Sequence, residues 1–170
     1  MRILLLLTIL IFVVGTSLDT MAAGTVTEIE QTRISDIAQD GLAEVKLGKL
    51  AESKGSTPKV KSFGKKMVAD HTLAINKLKA AALKSKMTLP SDLSDSQLAT
   101  YAELSKLSGL AFDRKYAAEM VEGHAKAVDA VGEEAKEGTG ELKQWAEKTI
   151  PTIKDHSALA KQLDTDIEKR

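Results

Sequence analysis

The chain contains no cysteine. That excludes disulfides, thiolate metal sites, a cysteine nucleophile and a lipidated N-terminal cysteine. It also lacks net charge: 24 Lys and Arg stand against 24 Asp and Glu. A neutral chain exerts no overall pull on nucleic acid or anionic lipid, so neither is an expected partner. Long hydrophobic runs are missing after Val14. The longest later stretch, Ala80-Ala81-Ala82-Leu83, is closed by Lys79 and Lys84. No transmembrane segment is therefore expected in the mature chain. Alternating runs of β-branched residues are absent, which argues against strands. There is no Gly-rich phosphate loop, no Gly-x-Ser-x-Gly elbow and no His-Glu-x-x-His.

The N-terminus reads as an address. Met1 and Arg2 precede an apolar run from Ile3 to Val14, interrupted only by Thr8, and Met21-Ala22-Ala23 follows a more polar stretch. The run is too short for a membrane span and suits a signal peptide with cleavage after Ala22 or Ala23. An uncleaved anchor is the alternative. Residues 1–23 are thus expected to be a signal, 24–33 a flexible lead-in, and 34–168 one helical-bundle domain. The expected location is outside the cytoplasm, periplasmic or envelope-associated.

Helical periodicity covers the rest. Ile34, Ile37, Ala38, Gly41, Leu42 and Val45 recur at three- and four-residue steps, behind Ser35 as an N-cap. Gly55-Ser56-Thr57-Pro58 is a break and restart, with Pro58 suited to the first helical position. A second helix to about Met87 carries Val60, Phe63, Met67, His71, Ala74, Leu78 and Ala81 on its inner stripe. Ser94-Asp95-Ser96-Gln97 is a capping box opening a shorter segment. Ser108-Gly109 breaks it, and a long helix follows with Phe112, Tyr116, Met120, His124, Val128 and Val131. Gly138-Thr139-Gly140 precedes the last helix, which holds Trp145, Ile153, Leu159 and Leu163. Pro151 is expected to bend or interrupt that helix. The predicted fold is all-α: a four-helix bundle with an additional short helix.

Two nonapeptides echo one another. Phe63…Met67-Val68…His71 and Tyr116…Met120-Val121…His124 share one spacing, aromatic, Met-Val, His. Steps of four keep these side chains along one side of a helix, so both imidazoles continue an apolar stripe. His156 lies eleven residues after Trp145, close to three turns, and shares its face. All three histidines are therefore expected to look inward, each from a different helix. Glu44, beside Val45, is a fourth inward polar candidate.

These features carry a resemblance. Ala43-Glu44-Val45…Gly48-Lys49-Leu50-Ala51, Val60-Lys61-Ser62-Phe63, Met67-Val68-Ala69-Asp70-His71, Leu107-Ser108-Gly109…Phe112-Asp113…Tyr116, Met120-Val121…His124 and Pro151…His156 occur in this order. Over residues 34–166 the chain resembles exported, ferritin-like helical-bundle proteins of unknown function, often labelled "predicted outer membrane protein". The family usually has an aromatic near the start of the first helix, where this chain reads Ile37-Ala38-Gln39. The resemblance implies a ferritin-like bundle and brings no activity or cofactor.

Three chemical readings follow. Di-iron bundles need Glu-x-x-His on two helices. The residues three before His71, His124 and His156 are Val68, Val121 and Ile153, so a standard di-iron or di-manganese oxidase has no ligands. A single-metal site is the second reading, with His71, His124, His156 and Glu44 as candidate ligands; Met67 and Met120 would suit copper(I). In the third, each histidine is a hydrogen-bonded core residue that sets helix register. The expected role is non-enzymatic: an envelope binding or structural protein, with an envelope protein as candidate partner. The alternative is a periplasmic metal-binding protein.

Overall fold

The computed structural model describes residues 26–170, so the expected signal peptide and its cleavage site lie outside the described residues. Those described form five helices and no strand: α1 (Glu28–Lys54), α2 (Pro58–Lys84), α3 (Asp95–Lys106), α4 (Gly109–Glu137) and α5 (Gly140–Glu168). No helix among them is long and apolar enough to cross a membrane.

The boundaries follow from local chemistry. Thr57 caps α2 by accepting a hydrogen bond from the Val60 amide, and Pro58 occupies the first turn. Ser94 and Gln97 form the reciprocal capping box of α3, each side chain accepting from the other's backbone N–H. Gly109 and Gly140 open α4 and α5 with φ of +58° and +51°. A side chain is strained in that region, which is why these two starts fall on glycine.

Two features of the helices differ from the sequence pattern. α1 begins at Glu28 with Thr27 as its cap, so most of the expected lead-in 24–33 is helix and Ser35 is interior. The polar residues of this turn are anchored from far away. Glu30 accepts hydrogen bonds from the Thr139 amide (2.8 Å) and hydroxyl (3.0 Å), and Arg33 faces Glu133, Glu134 and Glu137. α5 is continuous through Pro151, so the proline does not interrupt it.

α1 and α2 form one antiparallel hairpin and α4 and α5 another. Around the bundle the order is α1, α2, α5, α4, with α1 beside α4 and α2 beside α5. The start of α4 returns to the α1–α2 turn, where buried Asp113 accepts from the Ser56 amide (2.9 Å) and hydroxyl (2.6 Å). α2 and α4 therefore run the same way, joined by one long crossover that contains α3. Lys54 fastens that crossover by donating to the carbonyls of Ser105 and Leu107.

The core is two apolar clusters, not one. Leu50, Val60, Phe63, Met67, Phe112, Tyr116, Met120 and Leu163 fill the end near the α1–α2 turn. Ile34, Leu78, Val131, Leu142, Trp145 and Ile153 fill the other. Met67 and Met120 are thus packing residues of the first cluster. Along α2, α4 and α5 the histidines fall at the level where one cluster ends and the other begins.

Candidate metal centre

Each long helix brings one polar side chain to that middle level: Glu44 from α1, His71 from α2, His124 from α4 and His156 from α5. The residues around them on each stripe are aliphatic or aromatic, so helix packing buries the imidazoles with the core. Their exposures are 6%, 1% and 0% for His71, His124 and His156. One ring nitrogen from each lies within 4.8 Å of the others. His71 Nε2 and His124 Nε2 are 3.4 Å apart. Two nitrogens on one tetrahedral zinc stand about 3.3 Å apart, given bonds of about 2.0–2.1 Å. At that distance the pair fits two ligands of one ion, and without an ion it fits an N–H···N hydrogen bond from His71 to His124.

Hydrogen bonds fix which way two of the rings present their lone pairs. His124 Nδ1 is 2.9 Å from the Met120 carbonyl oxygen, which only accepts, so Nδ1 carries the proton and donates. Its Nε2, the atom facing His71, is left with the lone pair. His156 Nε2 donates to Asp70 Oδ2 at 2.8 Å. Its Nδ1 then bears the lone pair, and this atom is buried without a protein partner. Asp70 is itself held by Lys66, 3.0 Å away and one turn earlier on α2, and Lys66 also faces Asp155 at 3.6 Å. Burial opposes the charge of Asp70, but hydrogen bonds from His156 and Lys66 outweigh it and hold its pKa below the usual range.

The rings are neutral at physiological pH. Burial, then the neighbouring His124 and His156, push the pKa of His71 down to about 3. Burial brings His124 to about 4 against the raising effect of its bond to Met120. Burial also lowers His156, more than the Asp70 hydrogen bond raises it. Neutral imidazole is the form that ligates metal.

Glu44 stands apart from the three nitrogens. Its Oε1 lies 3.8 Å from His124 Nδ1, the nitrogen turned away from His71, so it sits behind that ring. Its Oε2 is buried and unpaired. A cavity of about 460 Å³ adjoins it, with His71, His124, Ile75, Leu78 and Trp145 among its lining residues. The sequence brought the three histidines together and set Asp70 beside His71 as an acid turned outward or to the next helix, without naming His156 as its partner. The only signal was its position one residue before His71, about 100° around the helix and so turned towards a different neighbour from the one His71 faces.

A family model for a domain of unknown function, DUF4142, matches residues 15–163. The chain belongs to the DUF4142 family. No curated protein matches it. Among solved structures, this DUF4142 chain is similar to the crystal structure of a DUF305 fragment from Deinococcus radiodurans, with a TM-score of 0.71 at 13% identity. The match covers 86% of this chain and 100% of that one. At that identity the likeness shows the fold alone, an all-α bundle.

Proposed function

We propose that this protein is an exported, non-enzymatic metal-binding bundle that holds one divalent first-row transition-metal ion on His71, His124 and His156. The observation that carries the reading is the bare Nδ1 of His156, buried beside two other imidazoles while its own Nε2–H is bonded to Asp70. Metal-ligating histidines characteristically donate their second N–H to a carboxylate or a backbone carbonyl. His156 has the first arrangement and His124 the second. A purely structural network would instead satisfy its members, and an unpaired buried nitrogen costs about 1–3 kcal/mol. Three imidazoles suit zinc, copper, iron or nickel, and no carboxylate in the cluster suggests magnesium or calcium.

The single crossover supports a ferritin-like topology. Val68, Val121 and Ile153 stand where the carboxylates of a di-iron centre would be, which favours a one-ion site. The Ile3–Val14 run supports export to the periplasm or envelope.

The test is metal content after chelation and reloading with zinc or cobalt(II), read by elemental analysis. The mature chain is expected to retain stoichiometric metal after desalting, and His156→Ala to lose it. Asp70→Asn is expected to weaken affinity about 10- to 100-fold, because it releases the ring that Asp70 orients. Retention of less than roughly a tenth of an equivalent by the unsubstituted protein overturns the reading.

A further inference from the structure

We propose that the cavity beside the histidines seats a small, neutral, mainly apolar molecule whose single nitrogen or oxygen donor completes the coordination of the bound metal. This rests on the metal reading and adds what the site is open to. Three protein ligands leave one tetrahedral position unfilled, the arrangement of zinc sites that accept exogenous ligands. Two of those ligands, His71 and His124, line the cavity, which sets it beside the site. At about 460 Å³ it falls within the usual range for small-molecule sites, about 300–1,000 Å³.

Its walls specify the chemistry of the occupant. Ile75, Leu78, Val131 and Trp145 line part of it with apolar side chains, and Ser96, Gln97 and Thr100 of α3 add polar ones. The indole N–H of Trp145 donates to the Ala74 carbonyl at 3.0 Å, so this side chain offers its ring rather than a donor. One fully buried polar atom of the lining has no partner: Glu44 Oε2, in a residue only 9% exposed. It can make one hydrogen bond, as donor or acceptor, with the occupant's head group. At the outer end, Asp40, Glu119 and Glu122 outnumber Lys126, which is paired with Glu122 at 2.6 Å. That rim repels anions. An uncharged occupant with an apolar body against Ile75, Leu78 and Trp145 and a single donor head fits this lining.

The experiment uses the cobalt(II)-loaded mature chain, with imidazole and 4-phenylimidazole as probes and the visible cobalt spectrum as readout. Both are expected to perturb the spectrum. 4-Phenylimidazole is expected to bind at least about tenfold more tightly, because its phenyl group leaves water for the cavity. Ala127→Trp, which fills the space from α4, should keep its cobalt and lose the phenyl advantage; Ala127→Leu is the smaller plug if the first variant does not fold. Cobalt uptake with a spectrum indifferent to both probes, or with equal affinities for them, overturns this inference and leaves the metal site standing. Absence of cobalt uptake overturns both.

Discussion

Glu44 holds its carboxyl in the seam between α1 and α4. Burial, with the charges of Asp40 and Glu119, pushes its pKa up to about 8. At the far end of the bundle, burial and the nearby Glu30 raise Glu134 to about 7, against the pull of Arg33. A raised carboxyl binds its proton more tightly in the folded state. Its stabilising effect is complete below the unfolded pKa and is lost as pH climbs to the folded one. The buried histidines act in the opposite sense, since their lowered folded pKa values make acid unfolding easier below about 6.5. Between pH 6.5 and 8 only the carboxyls contribute. Chemical denaturation of the metal-free protein is expected to show stability falling across that window, by up to about 1.4 kcal/mol per pH unit for Glu44 alone. Glu44→Gln should remove most of the fall above pH 7; an unchanged slope would assign it elsewhere. The inward direction of the histidines was legible because aromatic, methionine and histidine repeat every four residues. The stance of Glu44 was not, because helix periodicity gives a face and not a rotamer. Its place behind His124 depends on the bond from Nδ1 to the Met120 carbonyl.

At the scale of the helix, the α1–α2 hairpin depends on two glycines that face one another. A Cβ on Gly48 would meet the Gly64 carbonyl oxygen at 2.8 Å, and one on Gly64 would meet the Gly48 carbonyl oxygen at 2.7 Å. The two backbones touch there, and neither can move without moving a helix. Gly48→Ala is expected to destabilise by about 1–3 kcal/mol despite alanine's better helix propensity. Gly132, in α4, has open space around its Cβ position and no positive φ. Gly132→Ala should therefore stabilise by about 0.5–1 kcal/mol. Thermal or urea unfolding of the two variants checks the contrast. The capping box, the Pro58 start and the glycine breaks were readable because each is a contact within four residues. The true start of α1 was hidden because Glu30 and Arg33 find their partners more than a hundred residues later. Local pattern cannot reward a polar residue for a contact that the fold supplies.

For the molecule as a whole, the site links its two halves. His71 belongs to the first hairpin, and His124 and His156 to the second. An ion bound by all three joins hairpins that otherwise meet only along two seams, and a chain without cysteine has no covalent link to do the same. At free metal about a hundred times the dissociation constant, binding adds about 2.7 kcal/mol. For a domain of this size that is roughly 5–10 °C in Tm. Thermal unfolding with zinc and with excess chelator should differ by that amount, and His156→Ala should show no difference. A helical bundle was legible from periodicity alone. The split of its core into two clusters was not, because it reflects which residues stack at each level once four helices are aligned.

The seams are unequal, and that gives the bundle a sidedness. Backbone meets backbone between α1 and α2, and Asp70 bridges α2 to α5. Between α1 and α4, Glu44 and Gly123 face one another at the cavity, whereas a Cβ on Gly41 would meet Ile75 of α2 at 3.0 Å. Both ends are stoppered, by Phe112 and Val60 at one and by Ile34 and Leu142 at the other. The cavity therefore meets solvent broadside, at exposed Asp40, Glu122 and Lys126, and anything that reached the histidines through it would enter across the flank of the bundle and not along its long axis.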